Sequence, residues 1–168
     1  TIPGAKEGGI VTVLTLTGLT TTLDPSEIYY TDTSSIFSGL IGRSLTQYKY
    51  DPTSKQMILV PDLATDLGTS NDTYTKWTFT IRPGVKWGEN GKPVTAQEVA
   101  WGMTRCMDAA TFPTGACQYY SNVYFKGGSS YKGPYTSHEK PGTIFKGIKV
   151  NGNTITISGP GCAPGNVK

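Results

Sequence analysis

Charge is scarce in this 168-residue sequence. Only 16% of its residues are Asp, Glu, Lys or Arg, and the net charge is +3 at pH 7. The Lys and Arg residues are scattered, with no basic run and no basic-aromatic interleaving, which argues against a nucleic-acid partner. Histidine is scarcer still: His138 stands alone among Ser137, Glu139 and Lys140, a solvated-loop composition. A Ser-His-Asp set needs a supported imidazole, and a Cys/His zinc site needs paired ligand spacing; neither pattern is present. A dense carboxylate loop of the kind calcium requires is also missing. No run of about 18 apolar residues occurs, so no spanning helix is expected. Thr1-Ile2-Pro3-Gly4 lacks a signal-peptide pattern and reads as a mature or trimmed start. The expectation is therefore that the chain is not an enzyme and carries no metal and no cofactor.

Glycine (21) and proline (11) are plentiful, as are tyrosine (10) and tryptophan (3). This is a turn-rich globular composition, long enough for one domain with a buried core. Tyr and Trp carry an apolar body and a polar tip, useful in wet clefts and equally common as core or rim. Of the three cysteines, Cys106 and Cys117 bracket a short loop containing Phe112-Pro113-Thr114-Gly115. A disulfide closing it would contribute roughly 2–3 kcal/mol by chain entropy and would mark an oxidising compartment; the alternative is two unpaired thiols. Cys162 is left over, free or available to an outside partner.

The most legible stretch runs from Trp77 to Arg105. Trp77-Thr78-Phe79-Thr80-Ile81 alternates as a half-buried strand does, and Pro83-Gly84 ends it. Gly88-Glu89-Asn90-Gly91-Lys92-Pro93 is a turn cluster. Thr95-Ala96-Gln97-Glu98 then has the form of a capping box, opening a helix with Val99, Met103 and Cys106/Met107 at helical spacing and Ala96 and Ala100 on nearby faces.

Elsewhere, Gly9–Leu16 reads as a strand apolar enough to be buried on both faces. Leu23-Asp24-Pro25 is a tight turn. Thr33-Ser34-Ser35 offers N-caps to a helix carrying Ile36, Phe37, Leu40, Ile41 and Leu45 on one side. Gln47–Tyr50, Met57–Val60 and the Trp77 strand suggest an antiparallel meander. Asn71-Asp72-Thr73 fits a glycosylation acceptor but reads as a turn. Residues 108–143 are irregular, with a short helix at 117–124. Residues 144–157 form a hairpin around Asn151-Gly152, expected as a type I′ turn. The segment 158–168 reads as a Gly/Pro-rich linker or tail.

Together these residues resemble the family 5 extracellular solute-binding proteins of ABC importers, the dipeptide- and oligopeptide-binding group. The resemblance is carried by Gly8-Gly9-Ile10-Val11-Thr12-Val13, Thr22-Leu23-Asp24-Pro25, Pro61-Asp62-Leu63-Ala64, the run from Trp77 through Trp87, and Gly91-Lys92-Pro93-Val94-Thr95-Ala96-Gln97-Glu98-Val99. It implies an α+β fold with a mixed, largely antiparallel sheet and two main helices, one lobe of a periplasmic-binding-protein-like (Venus-flytrap) architecture. Residues 1–31 would belong to the family's first lobe, 32–157 to the small lobe. The family is much longer, so the chain is expected to be a fragment or shortened lobe. The resemblance further implies a peptide ligand, a membrane permease as partner, and a location outside the cell, membrane-tethered in the full-length protein. Ligand contacts carry over to Tyr29, Tyr30 and Thr31, beside which an extended peptide would run, and to Tyr119 and Tyr120, which would pack on ligand side chains. The competing expectation is that Tyr29 merely covers the turn and that Tyr119 and Tyr120 pack ordinarily. The family's acidic group for a peptide amino terminus lies in the absent region, so one lobe should bind weakly. The rival function is a detached lobe acting as an interaction module, self-associating through the Gly9–Leu16 strand or Cys162.

Overall fold

A computed structural model describes residues 4, 6, 8–10, 12, 14, 18, 22–88 and 91–159. Among them the order is α1 (Thr31–Ile36), a π-type turn (Phe37–Ile41), β1 (Thr46–Asp51), β2 (Gln56–Pro61), β3 (Thr69–Ser70), β4 (Lys76–Thr80), α2 (Ala96–Arg105), a 3-10 turn (Ala116–Gln118), α3 (Ser121–Tyr124), a second 3-10 turn (Gly128–Ser130), β5 (Ile148–Asn151) and β6 (Thr154–Ser158). The fold is α+β, as expected, and every pairing between the described strands is antiparallel.

The strands do not form one meander. β1 and β2 make a separate two-stranded hairpin, and the main sheet runs β3-β4-β6-β5. Its central pair, β4 and β6, joins Phe79 to Ile155 and Thr78 to Thr156, partners far apart in sequence. Burial decides this: Ile81 and Ile155 are 2% and 0% exposed and enter one core with Ala96, Ala100, Met107, Phe145 and Ile148. Large β-branched and aromatic residues gain most from that removal from water.

The capping box at α2 forms as read. Thr95 Oγ1 accepts from Glu98 N–H (3.2 Å), and Glu98 Oε2 accepts from Thr95 N–H (2.9 Å). The buried stripe of α2 is Ala96, Ala100 and Thr104, while Val99 and Met103 are only partly buried at its flank. Small residues let the helix lie close against the sheet. Thr104 Oγ1 donates to Ala100 O (2.9 Å) and accepts from Phe145 N–H (3.1 Å), stitching α2 to the segment that precedes β5.

Other expectations are corrected. The first helix starts at Thr31 with Tyr30 as N-cap, so Thr33-Ser34-Ser35 lie inside it; Asp32 Oδ1 accepts from Thr33 N–H instead. Leu40 and Ile41 are exposed, because the chain widens into a π-turn and leaves the helical spacing that would align them. At the β5–β6 hairpin Asn151 pairs with Thr154, so the two turn residues are Gly152 and Asn153. Of these only Gly152 has positive φ (56°), so the turn is not type I′. The short helix expected at 117–124 divides into the 3-10 turn Ala116–Gln118 and α3. Ile10 and Leu14 are exposed, not buried, and the described residues of 8–14 belong to no strand. A ladder needs a paired neighbour, and none of the described strands supplies one. The rest of Gly9–Leu16, residues 160–168 and Cys162 lie outside the described residues. No helix among the described residues is long and apolar enough to cross a membrane.

Candidate functional site

The site grows out of the C-terminal end of α2. There the helix gives way to a loop running from Cys106 to Tyr120, and the earlier turn at Asp24 folds onto it. Asp24 starts a compact turn: its Oδ1 accepts from Ser26 N–H (2.9 Å) and its carbonyl from Glu27 and Ile28 N–H (2.9 and 3.2 Å). Residues 25–27 form a turn here, as the Asp24-Pro25 pair implied. Arg105, at the last position of α2, then takes both carboxylate oxygens of Asp24, Nη1 to Oδ1 and Nη2 to Oδ2, each at 2.7 Å. The same guanidinium donates to Ser26 Oγ and lies 4.3 Å from the centre of the Phe112 ring. Its Nε reaches Tyr135 Oη at 3.3 Å. A planar, forked cation is suited to serving several acceptors while stacking on an arene. The paired guanidinium holds the Asp24 carboxyl below its ordinary pKa and raises that of Arg105 further.

Cys106 caps α2 and is bonded to Cys117, with Cα atoms 5.7 Å apart, so the disulfide alternative is the one realised. Two residues on is Tyr119. Met107, fully buried, accepts from Asn122 Nδ2 through its carbonyl (3.1 Å), fixing the start of α3; Asn122 Oδ1 is buried without a partner. Asp108, also fully buried, accepts from Thr111 N–H (3.1 Å), Tyr135 N–H (2.9 Å), Thr136 N–H (2.8 Å) and Thr136 Oγ1 (2.7 Å). Burial pushes its carboxyl up, but these donors outweigh it and leave the pKa below the ordinary value.

Of the sequence-expected ligand residues, the structure brings three together. The Tyr29 ring lies 5.7 Å from Tyr119 and 5.8 Å, edge-on, from Tyr30. All three are about half exposed. Tyr120 is exposed nearby as the N-cap of α3, and Thr31 is exposed as the first residue of α1. Ile28, next to Tyr29, is 9% exposed and anchors that segment. Sequence reading gave no site role to Arg105, Asp108, Thr114 or Gly115, which build the frame. The legible hint was an arginine closing a helix that precedes a cysteine loop.

This frame, the end of a helix presenting exposed aromatic loops beside an antiparallel sheet, belongs to an α+β fold of the periplasmic-binding-protein-like class. The match to a family model is specific: residues 59–161 fit the bacterial extracellular solute-binding proteins, family 5 Middle, and the chain belongs to that family. It is 44% identical over 66 residues to the oligopeptide-binding protein OppA of Bacillus subtilis (strain 168), an alignment covering 39% of this chain and 11% of that protein. Among solved structures it resembles clavulanic acid biosynthesis oligopeptide binding protein 2 (TM-score 0.69, 26% identity, 82% of this chain and 24% of that one). It also shares its fold with Haemophilus influenzae OppA, solved in complex with RPPGFSPFR (TM-score 0.65, 21% identity, 85% of this chain and 25% of that one). The chain thus spans about a quarter of the length of these solved relatives.

Proposed function

We propose that this chain is part of the substrate-binding component of an ABC importer and captures peptides outside the cell without covalent chemistry. Residues 32–157 form the small lobe, and residues up to 31 contribute the loop that completes its ligand face. The single observation that carries the reading is the exposed cluster of Tyr29, Tyr30 and Tyr119 on two segments that are themselves firmly held. Exposed aromatic rings on an ordered backbone suit tolerant packing against varied peptide side chains, while the extended backbone near Tyr30 (φ −77°, ψ 145°) can pair with a peptide main chain. Tyr120 and Thr31 flank this surface. The complete protein is tethered outside the membrane and hands ligand to a membrane permease. One lobe encloses only part of a ligand, so its affinity is weak.

Titration calorimetry with a mixed di- to pentapeptide library, run beside light scattering, tests this. Saturable heat from a monomer, lost in Tyr29→Ala and Tyr119→Ala, is expected. Absence of heat up to millimolar peptide, together with a stable dimer, would overturn the reading in favour of an interaction module.

A further inference from the structure

Among the described residues Tyr29 and Tyr119 meet their surroundings as rings, with no hydrogen bond from either phenol. Their spacing must therefore come from the backbone segments that carry them, and those segments are gripped by consecutive residues. Arg105 holds Asp24 and Ser26, the latter three positions before Tyr29. Cys106 holds Cys117, two positions before Tyr119. Met107 holds Asn122, two positions after Tyr120.

We propose that the end of α2, Arg105 through Met107, is the positioning element of the tyrosine surface: Arg105 sets the Tyr29 segment and Cys106 the Tyr119 segment, so the gap between the two rings is fixed from one helix end. The inference rests on the reading that these rings touch ligand. Direct contacts between the two segments agree with it. Thr114 Oγ1 donates to Glu27 O at 3.1 Å, and Gly115 lies so close to Ser26 that a Cβ there would stand 2.0 Å from the Ser26 carbonyl oxygen. Only glycine lets the backbones approach this far. The helix end, in turn, cannot drift, because Thr104, Met107 and Asp108 are fully buried and Thr104 and Asp108 are hydrogen-bonded across the core. Arg105 and Cys106 are thus positioning residues that act through Tyr29 and Tyr119 and need not touch ligand.

The test uses the full chain in solution. Cross-relaxation between the Tyr29 and Tyr119 ring protons is measured without ligand, and affinity for the peptide library is measured alongside. Arg105→Lys and the pair Cys106→Ser/Cys117→Ser should each abolish the ring-to-ring signal while leaving the β-sheet amide spectrum unchanged. Each should weaken peptide binding roughly tenfold, as expected when one or two freed side chains must be re-ordered on binding. The charge exchange Asp24→Arg/Arg105→Asp should restore part of both readouts. Wild-type signal retained in both Arg105→Lys and the cysteine pair overturns the inference. Should either variant fail to fold, the wild type is reduced with dithiothreitol instead: the ring signal should vanish, and its persistence with the disulfide open overturns the inference. Loss of the ring signal with no peptide binding even in the wild type would leave the positioning role standing and sink the binding function.

Discussion

Asp24 and Arg105 stand 81 positions apart and meet through two parallel hydrogen bonds of 2.7 Å. This pair closes the chain's early turn onto the end of its best-defined helix. It is partly exposed, with side chains 27% and 29% accessible, so water screens it. Its fork geometry and the added Ser26 and Phe112 contacts still place it above an ordinary surface bridge. Asp24→Asn should therefore lower stability by about 1 kcal/mol. Urea unfolding of the single variants and the double variant with Arg105→Gln isolates the coupling between the two.

Asp108 is the larger dependence. Asp108→Asn removes one acceptor oxygen from a fully buried carboxylate serving four donors and should cost about 2–4 kcal/mol. A loss well under 1 kcal/mol, measured by urea unfolding, would contradict a structural role for this carboxylate.

Acid should unfold the protein through the same groups. The folded carboxyls of Asp24 and Asp108 lie below the ordinary value of 3.8, so the unfolded chain takes up protons first as pH falls. Their stabilisation is complete above about pH 4 and is lost progressively as pH drops through the depressed folded values. Urea midpoints measured from pH 7 to pH 2 should stay level from these groups until about pH 4 and then fall. Asp24→Asn and Asp108→Asn should each flatten that descent.

Gly133 has φ +96°, and a Cβ there would lie 2.3 Å from the Cα, Cβ and Cγ of Asp108. Gly133→Ala therefore suffers both backbone strain and a clash with buried atoms that cannot retreat. Destabilisation of about 3 kcal/mol or more is expected, read as a large drop in melting temperature.

Thr95→Ala deletes the reciprocal cap of α2. A loss of about 1 kcal/mol is expected, with faster amide exchange in the first turn. Because α2 also carries the tyrosine frame at its far end, the fraying should remain at the N-terminal turn and leave the Tyr29–Tyr119 ring distance intact.

Local chemistry was readable wherever a residue's own neighbours decide its state. The strand at Trp77, the cap at Thr95, the turn at Asp24-Pro25 and the final hairpin all depend on contacts within a few positions, and each lies close to where the sequence places it. The helix near Thr33 was misplaced because several hydroxyl and acidic residues compete there as caps, and local preference does not choose among them. The split into two sheets was not legible, because the pairing of β4 with β6 is set by which apolar faces can share a core. The tyrosines were singled out one by one through the family resemblance. That Tyr29 and Tyr119 stand side by side, held from one helix end, was not legible in the sequence.

The order of residues by itself determined the cap at Thr95, the turn at Asp24-Pro25, the place of the Trp77 strand and the family, because these rest on short-range steric and hydrogen-bonding rules written into adjacent side chains. Only the tertiary structure decided that Arg105, Cys106 and Asp108 gather distant loops around a single helix end. Ion pairing, disulfide closure and burial act between groups the chain separates by tens of positions, and their geometry exists only once the core has closed.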